Sequence, residues 1–532
     1  MRKSHLIFLI IVLAVGLGVR FALIAADSDT LVRVIPDDAF YYFKTAQHIV
    51  AGQGSTFDGV HAANGYHPLW LLLLLPAANA SDPLVLARSA LLLGCLLSVL
   101  STLILWKSMQ RVNPVSWLPL PIAGLYFLAP RVIAASLNGL ETSLATALFA
   151  AAFYVTIVMT YSSIKYDVSL GVLLGLLFLA RTDTVFYAAA FWLIAVVRAA
   201  RPARLRRGLL VLGVAGVTIA PWLIWNWITF GSPLQVSGFA VPYVIRELKL
   251  LSGLSLSEYT IVGLQLFILF PFLSEIYGWI ACAGLLALWY FLRMAPVLAR
   301  VTVDLFRRML AAVLLLWLSS TALIFVHTYI RRFPRDWYFA QLDWLSAVTL
   351  FLVICVLGAT PLWRKVQRRF AARSPSVRRG AYLLGGLLIG LLVALVWEPG
   401  NRELFTAGVY PYQVEYLDAA RWLKANTRED ETAAAFNAGI IGYFSDRRVV
   451  NLDGVMDNAA FDAIRERRLW NFMREANVSY YLDYDPLMLK MYAPFMGSPA
   501  DRVELTEVHV IDRPGVAWQD SKIKIYRLAW QP

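Results

Sequence analysis

The sequence PDDAFYY at residues 36–42 and the sequence ANGYHPLW at residues 63–70 form the first polar interval after an apolar N-terminal stretch. The first string holds the adjacent carboxylates Asp37 and Asp38, and the second holds His67. Charged groups are costly to keep beside a bilayer, so an acidic pair directly after an apolar segment is a candidate functional site. The alternative is a helix cap, since either aspartate can cap a helix that begins near Ala39. The pattern favours the functional interpretation.

The composition indicates a membrane protein. Of the 532 residues, 59% are hydrophobic and only 16% are charged, and the mean hydropathy is +0.61. A soluble domain has about half apolar and about a quarter charged residues, so we expect a polytopic membrane protein. The net charge of +13 comes from Arg and Lys in short loops between apolar stretches. That distribution is typical of topology signals, and no nucleic-acid partner is expected.

Cysteine usage and the N-terminus add two expectations. Cys95, Cys282 and Cys355 all lie in apolar stretches, which excludes a disulfide framework or a cysteine metal site in the C-terminal polar region. Residues 1–25 have the form of a signal peptide, but no convincing cleavage site precedes Asp27. We therefore expect an uncleaved first helix.

Apolar windows of about 20 residues predict the membrane topology. We expect about eleven spans with the N-terminus inside, at residues 5–25, 84–106, 116–135, 142–161, 168–180, 184–197, 209–228, 274–292, 309–327, 339–360 and 380–397. Every basic loop then faces the cytoplasm except the one near Arg331. Outer loops normally contain few positive charges, so this exception is informative.

Three further segments are apolar or amphipathic without being spans. Residues 39–51 and 258–272 predict interfacial helices, and residues 68–76 predict a short helix that dips into the outer leaflet and holds His67 near the surface. The segments at 39–51 and 68–76 belong to an outer loop at residues 26–83 that carries the acidic pair.

The chain divides into two predicted domains. Residues 1–397 form a transmembrane catalytic module. From residue 398 the periodicity changes, and helical segments at 412–425 and 457–475 alternate with β-rich runs at 448–452 and 522–528. This pattern predicts a small α/β domain at residues 398–532. The fold class expected is thus an α-helical polytopic membrane protein with a small C-terminal extracytoplasmic α/β domain.

The predicted topology brings several charged groups to the outer face. The carboxylates suit acid–base chemistry or stabilisation of a cation, whereas arginine binds phosphate through two parallel hydrogen bonds. An enzyme acting on a lipid phosphate needs both kinds. The group comprises Asp37, Asp38, His67, Glu141, Arg181, Asp183, Arg331, Arg332 and Arg335.

Each of these residues also has a purely structural interpretation. Arg181 can snorkel from a short helix, Glu141 can cap the fourth span, and His67 can be a structural histidine before a proline. The basic cluster at 331–335 can bind anionic lipid head groups without specificity. The aromatic residues Tyr41, Trp70, Trp337 and Tyr338 have the composition of an interfacial belt.

In order and spacing, several motifs resemble the GT-C superfamily of membrane glycosyltransferases, which use polyprenyl-phosphate sugars. The motifs are the two opening strings, NGLET at 138–142, LARTD at 179–183, and NAGIIGYFS at 437–445 with NLDG at 451–454 in the outer domain. The closest branch by resemblance is the bacterial arabinofuranosyltransferase-like proteins. Protein mannosyltransferases and the lipid A aminoarabinose transferase are more distant.

The resemblance implies roles for the site residues. Asp37 would be the general base toward the acceptor hydroxyl, with Asp38 orienting it and Glu141 acting as a second outer-face acid. His67 and Arg181 fall where relatives place donor-phosphate ligands, although histidine departs from the lysine of some relatives and weakens charge-based binding at neutral pH. Arg331 and Arg335 are added to the donor-phosphate ligands by the predicted topology, with weaker family support. Further substrate contacts would come from Tyr41, Asn64, Asp183 and Tyr338. No dense ligand cluster is present in the sequence, so no cofactor and metal-independent chemistry are expected.

The resulting hypothesis is a glycosyltransferase at the outer face of the bacterial plasma membrane. It would move one sugar, arabinofuranose as the first choice, from a polyprenyl monophosphate to a hydroxyl of an envelope glycan or exported protein. Three alternatives remain open at this point: a flippase for a lipid-linked sugar, an oligosaccharide-transferring enzyme sensitive to chelators, and a scaffold whose outer domain does the work. The flippase is disfavoured because no internal repeat is evident.

Overall fold

A computed structural model describes residues 3–112, 118–158, 163–253, 255–273, 304–358, 406–497, 503–513 and 522–531, together with residues 284 and 374. The part before residue 359 is helical, and the part from residue 406 contains a five-stranded sheet. A mainly helical chain with a small C-terminal sheet is the coarse architecture that the sequence predicts.

The described helices of the first part follow the chain in order. They are α1 (Lys3–Ile24), α2 (Ser28–Val34), α3 (Asp37–Val50), α4 (Pro68–Leu74), α5 (Pro83–Val112), α6 (Pro119–Leu128), α7 (Pro130–Ser136), α8 (Thr142–Phe153), α9 (Ile164–Ala180), α10 (Val185–Arg198), α11 (Arg204–Phe230), α12 (Ala240–Leu251), α13 (Leu256–Leu273), α14 (Asp304–Phe325) and α15 (Ala340–Gly358). The segments at 39–51, 68–76 and 258–272 are helical, in α3, α4 and α13. Their position relative to the membrane stays a prediction.

Within the described ranges, four helical segments are long and apolar enough to cross a membrane, or up to six spans if two bent helix pairs are each counted as one. The four are Pro83–Val112, Arg201–Phe230, Arg308–Ile330 and Asp336–Cys355. The predicted spans at 274–292 and 380–397 fall, apart from residue 284, outside the described residues, as does the predicted boundary at 397. The total of eleven stays a prediction.

The predicted third span is broken in the structure. Helices α6 and α7 meet at an angle of 61°, because Pro130 has no N–H to continue the helix. The buried guanidinium of Arg20 lies across the break. It donates to the carbonyl oxygen of Phe127 at 3.1 Å and to the hydroxyl of Ser136 at 2.9 Å. Arg20 therefore supplies hydrogen bonds that the interrupted helix lacks.

The chain also turns sharply before the acidic pair. Helix α1 bends by 118° into α2, a short helix that the sequence patterns did not predict. Asp27 caps α2 by accepting from the N–H of Thr30 at 2.8 Å. Helix α3 then begins at Asp37, directly after Pro36. The two turns place the first residues of α3 against the C-terminal domain.

The C-terminal domain is a mixed α/β unit. Its described elements are α16 (Val414–Asn426), β1 (Thr432–Ala435), α17 (Gly439–Phe444), β2 (Arg448–Asn451), α18 (Asn458–Arg465), α19 (Leu469–Glu475), β3 (Val478–Tyr484), β4 (Val503–Ile511) and β5 (Ile523–Trp530). The strand order is β2-β1-β3-β5-β4, with β2, β1 and β3 parallel and β5 antiparallel to both of its neighbours. The helix expected at 457–475 is two helices, because Arg467 between them has a left-handed φ of 54°.

Helix α17 docks the C-terminal domain on α3. The buried rings of Phe40 and Phe43 lie 5.6 and 5.7 Å from the ring of Tyr443. A further close approach occurs at Gly442, where a Cβ atom would lie 2.7 Å from the ring of Phe57. This apolar contact fixes the beginning of α3 beneath the domain.

Candidate active site

A cavity of about 400 Å³ lies between the ends of the helices and the C-terminal domain. The volume is within the range of about 300–1,000 Å³ that ligand pockets occupy. On the helical side its ionisable lining residues come from five separate positions in the chain: the start of α3, the residue before α4, the residue before α8, the turn after α9 and the segment before α15. They are Asp37, Asp38, His67, Glu141, Arg181, Asp183, Arg331 and Arg335.

Asp37 is held by the C-terminal domain. Its carboxylate accepts hydrogen bonds from the backbone N–H groups of Ile440 at 2.7 Å and Gly439 at 3.0 Å, the first two residues of α17. Asp37 is the first residue of α3, but its carboxylate caps α17. Burial raises the pKa of Asp37 to about 7 against the effect of these hydrogen bonds, and the charge of Asp38 adds to the rise. A pKa near neutrality suits a general base.

Asp38 has a different environment. Its side chain is open to the cavity, and no residue of the described ranges makes a hydrogen bond or ion pair with it. The surrounding protein raises the pKa of Asp38, whereas the charge of Arg335 lowers it. The two neighbouring aspartates thus present one fixed carboxylate and one unpaired carboxylate to the same space.

A buried polar network lies beside the acidic pair. Arg181 is only 2% exposed, and it donates to Glu141 at 2.8 Å and to both oxygens of Asp183 at 2.6 and 3.1 Å. Tyr42 donates to Glu141 at 2.9 Å, and His327 contacts Asp183 at 2.9 Å. Arg181 therefore does not snorkel. Glu141 stands at the N-cap position of α8 but makes no side-chain cap.

The charges of this network stabilise one another. Burial alone would raise the pKa of Asp183, but the charge of Arg181 and the hydrogen bond to His327 hold the pKa well below its usual range. Burial would lower the pKa of Arg181, yet Asp183 and Glu141 raise it. Three of the five N–H donors of Arg181 already bind carboxylates, so few remain for a phosphate. Its main contribution is a positive charge held in a fixed position.

Two other arginines retain free donors. Arg331 donates to the carbonyl oxygen of Ser237 at 3.0 Å and lies 5.7 Å from the ring centre of Tyr338. Arg335 is exposed, with its guanidinium 4.0 Å from the ring centre of Phe333. Neither arginine forms an ion pair with any described carboxylate. An anion entering the cavity would find these two cations available.

His67 lines the cavity as a neutral imidazole. Its Nε2 lies 3.8 Å from Glu141, and its Nδ1 lies 3.4 Å from the amide nitrogen of Gln235. Burial lowers the pKa of His67, although the charge of Glu141 opposes this. At neutral pH it can give a phosphate a hydrogen bond, but not a charge.

Two of the predicted substrate contacts, Tyr41 and Asn64, have protein partners in the structure. Tyr41 lines the cavity, but its hydroxyl accepts from the N–H of Ala438 and the amide of Asn451, both at 3.0 Å, so it joins the two domains. Asn64 is fully buried away from the cavity. Its amide nitrogen donates to Asn226 at 2.6 Å, and its oxygen accepts from Val236 and Asn458. It is a packing residue because both ends of its amide are used.

Tyr338 does lie at the cavity, as predicted. Its ring is 4.9 Å from the guanidinium of Arg181 and stacks on His327 at 4.3 Å. His327 was not among the predicted site residues, although an ionisable residue at the end of an apolar helix is a recognisable signal. Asn437 and Asp453 also had no predicted role, and they line the cavity from the C-terminal domain.

One cluster of possible metal ligands occurs in the described part of the chain, outside the cavity wall. Atoms of Asp58, His61 and Asp457 lie within 4.8 Å of one another. Asp58 contacts His61 at 2.9 Å and also accepts from Arg448 at 3.1 Å. The arginine already neutralises the position, so the cluster acts as an ion-pair contact between the outer loop and the C-terminal domain. Metal independence at the cavity stays a prediction.

Comparisons with known proteins support the fold. A family described as "Domain of unknown function (DUF8728)" matches residues 406–526. No curated protein matches the chain in sequence. The crystal structure of ArnT from Cupriavidus metallidurans bound to undecaprenyl phosphate aligns with a TM-score of 0.55 at 12% identity, covering 97% of each chain. ArnT in the apo state aligns with a TM-score of 0.54 at 14% identity, covering 99% of this chain and 98% of that one.

The chain therefore has the fold of ArnT over nearly its whole length. Nearness to arabinofuranosyltransferase-like proteins receives no support from these neighbours.

Proposed function

We propose that this chain is a membrane glycosyltransferase that moves one sugar from a polyprenyl monophosphate to an acceptor hydroxyl. The observation that carries the proposal is the pairing, in one cavity, of two carboxylates with two arginines that lack acidic partners among the described residues. ArnT, which shares the fold, binds undecaprenyl phosphate.

The arginine side of the cavity is the proposed donor-phosphate site. Arg331 and Arg335 have free donors for bidentate contact with phosphate oxygens. His67 supplies a neutral hydrogen bond. Arg181, held between Glu141 and Asp183, contributes a fixed positive charge behind them. These groups stabilise the phosphate as its bond to the sugar breaks.

The acidic pair is the proposed transfer site. Asp37 takes the proton of the acceptor hydroxyl, whose oxygen bonds to the anomeric carbon while the carbon–oxygen bond to the phosphate breaks. The products are the glycoside and the polyprenyl phosphate. The two N–H bonds leave lone pairs free on the carboxylate and fix its direction. Asp38, unpaired, stabilises the positive charge that develops on the sugar.

The finer assignments follow from the resemblance of the motifs. We propose arabinofuranose as the donated sugar, and an envelope glycan or exported protein as the acceptor. The reaction site is placed at the outer face of the bacterial plasma membrane, on the same side as the C-terminal domain.

The test is a transfer assay with the full chain in lipid nanodiscs. Undecaprenyl phosphate-linked arabinofuranose serves as donor, methyl arabinofuranoside as acceptor, and mass spectrometry detects released undecaprenyl phosphate and the disaccharide. Asp37→Asn should lose about 10²–10⁴-fold in kcat. Asp462→Asn, on the exposed face of α18, should retain full activity. Equal rates for Asp37→Asn and the wild type would remove the base assignment.

A further inference from the structure

The wall that the C-terminal domain gives to the cavity differs in charge from the helical wall. The cationic lining residues within the described ranges all come from the helical part, at Arg181, Arg331 and Arg335. The C-terminal wall contributes the polar side chains of Asn437 and Asp453, beside aromatic and apolar ones. A donor phosphate is attracted to the first wall, whereas the second wall offers it no positive charge, so the second wall faces another part of the substrates.

Asp453 is positioned by a tight turn after β2. Gly454 has a left-handed φ of 72°, and a Cβ atom there would lie 2.9 Å from the backbone of Phe461. One oxygen of Asp453 accepts from the N–H of Val455 at 2.9 Å. An aspartate has about four acceptor positions, so acceptor capacity remains toward the cavity.

Asn437 presents a second acceptor on the same wall. Its amide nitrogen donates to the hydroxyl of Tyr416 at 2.8 Å, and its backbone N–H donates to Asp483 at 3.0 Å. No donor among the described residues reaches its side-chain oxygen. The contacts fix the amide with that oxygen as its free group.

We infer that Asp453 and Asn437 form a subsite for the hydroxyl groups of a neutral sugar ring, next to the acidic pair. The two acceptors on this wall can bind neighbouring sugar hydroxyl groups. The apolar side chains of Leu487 and Met491, which also line the cavity, can pack against the C–H groups of a sugar ring. The inference rests on the proposed function and extends it, because the sugar belongs either to the donor or to a glycan acceptor.

The electrostatic surroundings agree with this geometry. Burial raises the pKa of Asp453 to about 8, and the charges of Asp38 and Asp37 add to the rise. Near neutral pH the protonated carboxyl both donates and accepts, as a sugar hydroxyl does.

The experiment compares the full chain in nanodiscs with Asp453→Ala, Asp453→Asn and the matched control Asp462→Asn. Binding of methyl arabinofuranoside is measured by saturation-transfer NMR, and binding of undecaprenyl phosphate by native mass spectrometry. Asp453→Ala should weaken sugar binding about tenfold or more and leave undecaprenyl phosphate binding unchanged. Asp453→Asn keeps an oxygen for Val455, so it preserves the turn and should show a smaller loss.

Kinetics separate the two sources of the sugar. A raised KM for undecaprenyl phosphate-linked arabinofuranose, without weaker binding of undecaprenyl phosphate, assigns the subsite to the donor sugar. A raised KM for methyl arabinofuranoside alone assigns it to the acceptor. Wild-type sugar binding in both Asp453 variants, or no sugar binding by the wild type, would overturn the inference. Sugar binding that depends on Asp453, in a chain that does not bind undecaprenyl phosphate, would overturn the proposed function and leave the subsite standing.

Discussion

The carboxylate of Asp37 accepts a 2.7 Å hydrogen bond from the backbone N–H of Ile440, 403 positions later in the chain. The N–H of Gly439 donates to the same carboxylate at 3.0 Å. The proposed base is therefore oriented by the C-terminal domain, and the domain is anchored by the proposed base. Any change that separates them should affect both docking and transfer.

Gly439→Ala tests this link. An added Cβ would lie 2.3 Å from the carbonyl oxygen of Asp37, so the backbone must move. We expect a loss of about 1–3 kcal/mol in the free energy of unfolding and a clear fall in kcat. Thermal melting and the transfer assay measure the two effects. Gly213→Ala is the matched control, because a Cβ there meets no atom within 4 Å. Equal activity of both variants would contradict the link.

The pH profile tests the role of Asp37. A general base acts when deprotonated, and the pKa of Asp37 is raised to about 7, so kcat/KM should rise with pH and reach half its limit near that value. Since the charge of Asp38 contributes to the rise, Asp38→Asn should move the midpoint to lower pH. A midpoint that stays fixed in Asp38→Asn would argue that another group controls the profile.

Arg181 should matter for stability as well as for activity. Removing its side chain leaves Glu141 and Asp183 without their buried partner, which typically costs about 3–5 kcal/mol. We expect Arg181→Ala to lower the melting temperature and to abolish transfer. The double variant Arg181→Met with Asp183→Asn removes one of the two unpaired carboxylates and should recover part of the lost stability without activity. Normal stability in Arg181→Ala would show that the network is not structural.

Arg335, unlike the buried Arg181, should matter for activity but not for stability. It is exposed and has no acidic partner in the described part of the chain, so Arg335→Ala should change the free energy of unfolding by less than about 0.5 kcal/mol. The donor KM should rise about tenfold or more, as expected for loss of a charged hydrogen bond to phosphate. Steady-state kinetics with varied donor check this. An unchanged donor KM would place the phosphate elsewhere.

Local patterns predicted the helices and the candidate residues, but not which partners those residues meet. Hydropathy located the short helix α3, and the placement of Asp37, Glu141 and Arg181 at helix ends indicated that they belong to one surface. Asp37 and α17 are about 400 positions apart in the chain, so local patterns could not predict their contact. Nor could spacing show that the hydroxyl of Tyr41 would be used by the C-terminal domain.

The surroundings of Asn64 could not be predicted for a related reason. Its string resembles a family motif, but a motif does not tell whether an amide faces a ligand or packs between helices. Its partner Asn226 is 162 residues away. Similarly, the break in the third predicted span depends on Pro130 together with Arg20 from another helix. Such long-range polar pairs are fixed by tertiary packing, and a single sequence does not record them.

An electron cryomicroscopy structure of the full chain in nanodiscs with undecaprenyl phosphate tests the proposed function most directly. We expect the phosphate in the cavity, within hydrogen-bond distance of Arg331 and Arg335, with Asp37 and Asp38 facing the space where the sugar would be attached. A phosphate bound outside this cavity, or on the opposite side of the membrane from Asp37, would contradict the proposed function.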